Sequence, residues 1–555
     1  MRLPATVCGT DGEGERFYKA RSTFYKCDRD GRNCDEQLTR TGRSGNVPPQ
    51  MRLTLFFWIV LLCTTPALHA QPTGATPLNR QMSLNECIRM ALERNLDIKI
   101  GRFSPQISQL SLDASYGYYD PLFSGRAQQT FSTRPGKLDP NVGVVPGSET
   151  WNEDFNLSLE GMLPTGARYE LGGHLNRLSG EAFSAATTNF VNLPFQYTPD
   201  VAISVQQPLL KNFWIDEGRL LIQLNKKDIK RSELLLQFTI MNVVFQVSQF
   251  YYDLVAARDQ VKVREMALQL KQQFAFENKK KVEAGALAPL DEKQAESEAA
   301  TAQADLIRAR YDAEAAENNL KALITDQFTD LHSTTIEPTE KLLPVLQLFN
   351  VVESWRTGIE RRPDYLEKKE VLEQQNITLK FRKNQLYPAL DVVGTYGRNG
   401  LGSTFGNSID TLADNRFPTW AGAVVFSVPL SRKAERANYK GQKINVETAV
   451  LDMKKLEEQI VREIDDAVKR IRSAYAAIES TREARVFAEA ALDAEQKKLE
   501  NGKSTNFQVL EIQDRLTLAR ANEIGALTAY NKALHDLYFR EGTTLERNKV
   551  TLDVR

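Results

Sequence analysis

The sequence is poor in the residues that build metal and nucleophilic sites. Its 555 residues include five cysteines and four histidines. Cys8, Cys27, Cys34, Cys63 and Cys87 all lie in the first part of the chain, and His69, His174, His332 and His535 lie far apart. No Cys/His spacing suggests a zinc centre, and no Ser/His/Asp arrangement can be argued. Charge of one sign is also missing: 71 basic residues balance 71 acidic ones, which gives nucleic acid no basic field to bind. A mean hydropathy of −0.40 is too low for a helical membrane protein. Two glycine motifs imitate cofactor loops without matching them. Gly502-Lys503-Ser504-Thr505 lacks the glycine that a phosphate loop needs five residues earlier, where Lys497 stands. Gly394, Gly397, Gly400, Gly402 and Gly406 miss the dinucleotide spacing and read as a mobile loop. Neither a cofactor nor an enzymatic activity is expected.

Met51–Ala70 has the form of a signal peptide: Arg52 is the positive start, Leu53 to Cys63 the apolar core, and Ala70 the small residue at the cleavage point. The apolar run is too short to span a bilayer. Residues 1–50 are then expected to lie outside the mature protein, through a misassigned start. Leu61-Leu62 before Cys63 does not suit a lipoprotein signal. The mature chain keeps Cys87 alone and can form no internal disulfide.

Past the signal the chain repeats itself. Leu84–Asp97 and Val351–Asp364 align with Glu86, Arg89, Glu93, Arg94 and Asp97 on Glu353, Arg356, Glu360, Arg361 and Asp364. The same offset pairs Asp120-Pro121-Leu122-Phe123 with Tyr387-Pro388-Ala389-Leu390. Each half then carries a strand ending in Pro-Leu, Val201–Leu210 or Ala423–Leu430, and closes with two long helices around Gly285 or Gly502. Four landmarks in one order point to a duplication.

The helices carry heptads. Ile240, Val247, Leu254, Val261, Leu268, Ala275 and Val282 recur every seven residues on a helix expected from about Leu209 to Ala284. The return from Pro289 to Ile324 alternates steps of four and three through Ala295, Ala299, Ala302, Leu306, Ala309, Ala313, Ala316, Leu320 and Leu323, a seam whose alanines permit close approach. Ile464, Ile471, Ile478, Leu492 and Leu499, then Ile512, Leu516, Ala519, Ala526, Tyr530, Ala533 and Leu537, repeat the pattern. An outgoing helix of about 70 residues is roughly 100 Å long and must project from something. Phe250-Tyr251-Tyr252 suits packing between helices, and Lys279-Lys280-Lys281 a solvated face.

Alternating segments such as Phe155–Glu160, Ala167–Leu171, Val201–Val205, Leu390–Tyr396 and Val424–Val428 read as strands of membrane-barrel type, with long loops at Arg134–Glu153, Ser179–Thr198 and Gly397–Thr419. The first half is longer here, with room for a hairpin at Leu163-Pro164-Thr165-Gly166, so four or six strands per chain are expected. Either number is too few for a large barrel, so several copies must close it. The expected fold is an α+β membrane protein of long antiparallel helical hairpins plus barrel strands. Its first repeat covers 71–340 (strands about 121–208, hairpin about 209–325) and its second 341–548 (strands about 388–429, hairpin about 430–540), with a tail at 549–555.

The segments ALERNLDI (Ala91–Ile98), QQPLL (Gln206–Leu210), VEAGALAPLD (Val282–Asp291), ERRPDY (Glu360–Tyr365), YPAL (Tyr387–Leu390) and LENGKSTNFQVLE (Leu499–Glu511) occur in the order found in TolC-type outer-membrane efflux factors. The chain resembles that family over nearly all of residues 83–548. The resemblance implies a homotrimer in the outer membrane with a large periplasmic tunnel. It would serve as the passive exit duct of tripartite efflux or type I secretion, loaded by a periplasmic adaptor and an inner-membrane RND or ABC pump. Gly285, Ala286, Leu287, Ala288 and Pro289, with Gly502, Lys503, Ser504 and Thr505, would be the adaptor-contact tips. Acidic residues just inside the second tip line the tunnel mouth in that family. The matching positions here are Gln508, departing from the family's aspartate, and Glu511, and Asp291 holds the equivalent place inside the first tip. Asp291 and Glu511 are equally compatible with solvated acids that favour a helix N-terminus. A structural periplasmic coiled-coil tether is the alternative function, distinguished by its lack of need for membrane-grade strands.

Overall fold

The computed structural model describes residues 6–10, 16–20, 23–27, 34–36, 78–140, 143–145, 147–184, 189–345, 347 and 349–550. It divides into two units, Met1–Thr73 and Gly74–Arg555. In the first unit β1 (Thr6–Thr10), β2 (Arg16–Ala20), β3 (Thr23–Cys27) and β4 (Cys34–Glu36) pair in sequence order as an antiparallel meander. The expected signal segment 51–70 and residues 551–555 of the tail lie outside the described residues.

The second unit opens with β5 (Leu78–Met82), α1 (Leu84–Arg94) and α2 (Leu96–Tyr116). Then come β6 (Leu122–Arg134), the small hairpin β7 (Lys137–Asp139) and β8 (Gly143–Val145), β9 (Ser148–Met162), β10 (Arg168–Ser184) and β11 (Asn189–Pro208). The hairpin α3 (Glu217–Glu283) and α4 (Pro289–Ile324), the short α5 (Phe328–Leu331) and β12 (Thr334–Pro338) complete the first half. The second half runs α6 (Val351–Arg361), α7 (Pro363–Asn384), β13 (Ala389–Asn399), α8 (Phe405–Ala413), β14 (Pro418–Ser427), α9 (Lys433–Glu500), α10 (Asn506–Arg540) and α11 (Thr544–Arg547). The duplication is quantitative along the helices: α1 and α6 have 11 residues each, α3 and α9 have 67 and 68, and α4 and α10 have 36 and 35.

Local chemistry sets the helix starts. The Ser83 hydroxyl accepts the Glu86 N–H at 3.3 Å to open α1, and the Asn350 side chain accepts the Val352 N–H at 3.2 Å to open α6. Pro289 and Pro363 stand in the first turns of α4 and α7, where the missing N–H has no partner to lose. α3 begins at Glu217, later than the heptads suggest. Asn212 and Trp214 adopt left-handed backbone (φ 66° and 53°), and the Asp216 carboxylate accepts the Arg219 N–H at 2.7 Å. Tyr119 donates to that same carboxylate.

Each long helix is flanked by two shorter ones running the other way. α2 lies along the first part of α3, where Asn225 donates to the Ser111 carbonyl, and α4 lies along the later part, where Arg258 pairs with Glu317. α7 and α10 repeat this on α9, through Gln442 with Gln375 and Arg470 with Asp536. α7 and α10 also meet α3, through Lys227 with Glu370 and Lys532 with Asp253, so the two halves form one slab. The expected seams are buried: Ile240, Val247, Leu254 and Leu268 on α3, Ala295, Ala302, Leu306 and Leu320 on α4, and Ile464, Ile471, Ile478 and Leu492 on α9. The main core gathers α1, α3 and the parallel pair β5–β12 around Tyr251, whose hydroxyl donates to the Met82 carbonyl at 3.1 Å and accepts the Glu340 N–H at 3.3 Å. Cys87 is fully buried there, and burial pushes its thiol up to about 12, which makes it inert.

The strands form a six-stranded antiparallel sheet in the order β14-β13-β11-β10-β9-β6. The expectation of four or six thus resolves to six. The extra hairpin is β9–β10, turning at Leu163–Gly166, where Gly166 has φ 87° and a Cβ would come within 2.4 Å of the Asn212 carbonyl. The segments expected as loops at Arg134–Glu153 and Ser179–Thr198 are largely strand. β10 and β11, of 17 and 20 residues, extend well beyond the 9–11 residues that cross a bilayer.

His535 of α10 sits between Tyr252 and Tyr538, with ring centroids 5.3 and 5.8 Å away. Burial pushes its imidazole down to about 4. A depressed folded value means that the neutral ring contributes stability above pH ~6.5, which is lost as pH falls toward ~4. We expect a loss of about 2 kcal/mol between pH ~7.5 and ~5, and His535→Phe to remove it. Thermal melting of the detergent-solubilised protein at about pH 7.5 and about pH 5 checks this; an equal acid loss in the variant would clear His535 as its source.

Candidate functional site

The six-stranded sheet has two unlike faces. In register across it, Phe123, Leu159, Leu171, Ile203, Tyr396 and Trp420 form one apolar row. Val205, Val201, Val392, Val424 and Phe426 extend that face, and most of these side chains are exposed, Trp420 at 79%. Toward the far end the face closes on Arg177, which pairs with Glu153 at 2.8 Å and lies 4.4 Å from the Phe195 ring. The opposite face is polar. Arg126, Asn156, His174, Asp200 and Asn399 make one row, and the His174 ring nitrogens lie 2.9 Å from Asp200 and 2.9 Å from Asp154 carboxylate oxygens. Strict alternation thus produces a wall that is apolar on one side and hydrated on the other, the pattern of a membrane barrel.

Two further surfaces have no partner among the described residues. Along β14 every residue is exposed, and nearly all of β6 is too, so both edges present free backbone N–H and C=O groups. On α2, Leu96, Ile100, Phe103, Ile107 and Leu110 follow steps of four and three, all between 52% and 66% exposed. A coiled-coil stripe in water is a seam awaiting another helix.

At the opposite end from the sheet's far rim lie the two tips, built alike. The N–H groups of Gly285 and Ala286 donate to the Val282 and Lys281 carbonyls at 2.9 and 2.8 Å. Those of Gly502 and Lys503 donate to Leu499 and Lys498 at 3.0 and 2.9 Å. Both are Schellman closures with the glycine left-handed, φ 74° and 70°, so any other residue there is strained. Leu287, Ala288 and Pro289 lead into α4 at the first tip, Ser504 and Thr505 into α10 at the second, and Thr505 caps α10 through the Gln508 N–H.

Asp291 stands in the first turn of α4 and is half-buried. Gln508 and Glu511 lie in the first turns of α10, both exposed; Gln508 accepts from the Ser504 hydroxyl at 3.0 Å, and Glu511 pairs with Arg515 at 2.7 Å. Among the described residues no hydrogen bond or ion pair joins the three within one chain. A stronger charged feature lies a few turns in and has no sequence signature. Lys271 of α3 is buried and bonds Glu298 of α4 at 2.9 Å and Asp514 of α10 at 2.6 Å, fastening the two hairpins together. Burial alone would lower its pKa, but Asp514 and Glu298 outweigh it and hold the value raised.

The family model for outer membrane efflux proteins matches residues 201–325 and 358–543, together more than half of the chain. No curated protein matches by sequence. Several solved structures share the fold. The CmeC outer membrane channel of Campylobacter jejuni is 15% identical, with 85% of this chain and 90% of that one covered and a TM-score of 0.60. The outer membrane protein VceC of Vibrio cholerae is 16% identical, covering 83% and 96%, at 0.60. The open-state MtrE outer membrane channel of Neisseria gonorrhoeae is 16% identical, covering 84% and 91%, at 0.56.

The Lys271 clasp should hold the tips together. With a raised folded value, its contribution is complete below the unfolded pKa of ~10.4 and is lost only as pH rises through the folded one. Lys271→Met frees two partly exposed carboxylates to solvent and should cost about 1–2 kcal/mol. Trypsin should then cut faster at Lys279-Lys280-Lys281, whereas Lys271→Arg should stay close to the parent. Unchanged cutting in the methionine variant would mean that the clasp does not restrain the tips.

Proposed function

The chain belongs to the outer membrane efflux protein family, and from that premise we propose that it is the passive outer-membrane duct of a tripartite efflux or type I secretion system. The observation that carries this reading is the sheet with one exposed apolar face, one polar face and two open edges. An open edge is not tolerated in hydrocarbon, because no water is present to satisfy the backbone. The β14 edge of one copy pairs with the β6 edge of the next. In a homotrimer this makes a barrel of roughly 18 strands, wide enough for an aqueous lumen. The apolar rows face outer-membrane lipid and the His174 row faces the lumen. The α2 stripe buries against a neighbouring copy, and the helices continue the bore through the periplasm.

The two Schellman tips are the docking points for a periplasmic adaptor, with Gly285 to Pro289 and Gly502 to Thr505 as contacts. A pump in the inner membrane, RND or ABC, supplies the energy, since the duct only conducts. We further propose that Asp291 and Glu511, in three copies each, ring the constriction just inside the tips, with Gln508 lowering the charge there. Such a ring favours cations. The Glu511–Arg515 pair moderates it. The repeat boundaries at 71–340 and 341–548 describe the duplicated unit on which this assembly is built. A periplasmic tether has no use for a sheet face that carries Trp420, Val424 and Phe426 into solvent, which disfavours that alternative.

The protein should fractionate with outer membranes and migrate as a heat-modifiable oligomer; a soluble periplasmic monomer would refute the duct. In planar bilayers, Glu511→Gln should reduce cation selectivity with little change in open-pore conductance. Unaltered selectivity would remove Glu511 from the constriction.

A further inference from the structure

The glycine-rich stretch expected as a mobile loop is instead ordered around α8. Gly394 and Gly397 lie within β13. Beyond Asn399 the chain folds along β11: the Gly400 N–H donates to the Pro199 carbonyl at 2.7 Å, and Tyr197 and Gly402 exchange N–H···O bonds of 2.9 and 3.1 Å. α8 rides directly on this segment. A Cβ on Gly400 or Gly402 would come within 2.4 Å of the Ser408 backbone, so the two glycines allow a contact that no other residue would.

α8 rests on the apolar side of the wall. A Cβ at Gly400 would also meet both the Pro199 ring and Leu412, the Phe405 ring meets Tyr197 edge-on at 6.4 Å, and Arg398 donates to the Ala413 carbonyl at 3.5 Å. Pro199, Tyr197 and Arg398 all alternate with Val201, Ile203 and Tyr396, hence share their face. Between helix and wall lies a cleft of about 450 Å³ lined by Leu171, Val201, Ile203, Tyr396, Ile409 and Leu412, with Arg398 beside them. That is the size and lining of a site for an apolar ligand. Around it Leu401, Phe405, Ile409 and Phe417 are exposed, at 53%, 54%, 37% and 54%.

We propose that α8 is an interfacial shelf that seats one acyl chain of a phosphate-bearing lipid of the outer leaflet, with Arg398 holding the headgroup. The inference rests on the membrane-wall reading above. Three observations select this occupant. The cleft is continuous with the lipid-facing rows. It lies where β13 ends, on the side away from the helices, between the central apolar row at Ile203 and the level at which Arg177 and Phe195 end the apolar face. Among the described residues Arg398 makes one weak side-chain bond with a guanidinium that has five donors, and an arginine fork suits a phosphate. A second copy of the chain is a poorer fit, because α8 covers β11 and β13 while the open edges are β14 and β6. A short helix with one apolar side, lying flat at a membrane boundary, is a stable arrangement in its own right.

The test is native mass spectrometry of the full-length protein titrated with lipid A, dephosphorylated lipid A and phosphatidylethanolamine. The parent should retain one lipid A per chain and hold the dephosphorylated form about tenfold less well, the loss of one charge-assisted contact. Arg398→Gln should remove that preference while keeping binding of the acyl chains. Leu412→Trp, which fills the cleft, should abolish retention of all three lipids. Bilayer conductance should match the parent in both variants. Equal retention in Leu412→Trp, or no phosphate preference in the parent, would overturn the shelf. A protein that does not conduct at all would instead overturn the duct.

Discussion

The unpaired backbone at β6 and β14 is the constraint on which the rest of the molecule depends. A strand edge in water can be left to solvent, but a strand edge in hydrocarbon must find another edge. The sheet is therefore complete only as part of a ring of identical copies. That requirement reaches into the helices, because copies joined at the sheet must also meet along their helical slabs. The exposed stripe from Leu96 to Leu110 on α2 is the surface proposed for that contact.

The duplication gives each long helix the same environment. α3 and α9 are each covered by two shorter helices laid end to end, and each ends in the same left-handed glycine closure. The two halves are nevertheless cross-linked unequally. α3 touches α7 and α10 of the other half and carries the buried Lys271, whereas α9 buries no lysine at the matching place. Charged clasps across the halves add register to a slab whose apolar packing alone could slide.

Much of this was legible in the sequence, for identifiable reasons. Heptads report burial directly, so Ile240, Val247, Ala302 and Ile471 could be named in advance. Prolines at 121 and 388 mark where helix gives way to β6 and β13, and Gly285 and Gly502 mark the reversals. The tall ends of β10 and β11 were not legible. Beyond the apolar rows the sequence loses its period-two contrast although the pairing continues. The Lys271 clasp reaches Glu298, 27 positions on, and Asp514 in the other half, and leaves no local pattern. The glycines at 400 and 402 read as loop because glycine signals both freedom and close approach, and only the position of Ser408 tells which. Asp291, Gln508 and Glu511 are proposed for the mouth from family likeness, and no bond within one chain joins them.

The β9–β10 hairpin has no counterpart in the second half, and it is inserted without disturbing the helices on either side. A strict duplicate would contribute four strands per chain. Because barrel diameter grows nearly in proportion to strand number, two added strands widen the cross-section about twofold. The outer orifice and the periplasmic conduit thus have separately adjustable calibres. The β9–β10 segment, turning at Leu163–Gly166, sets the strand number without a change in the helices.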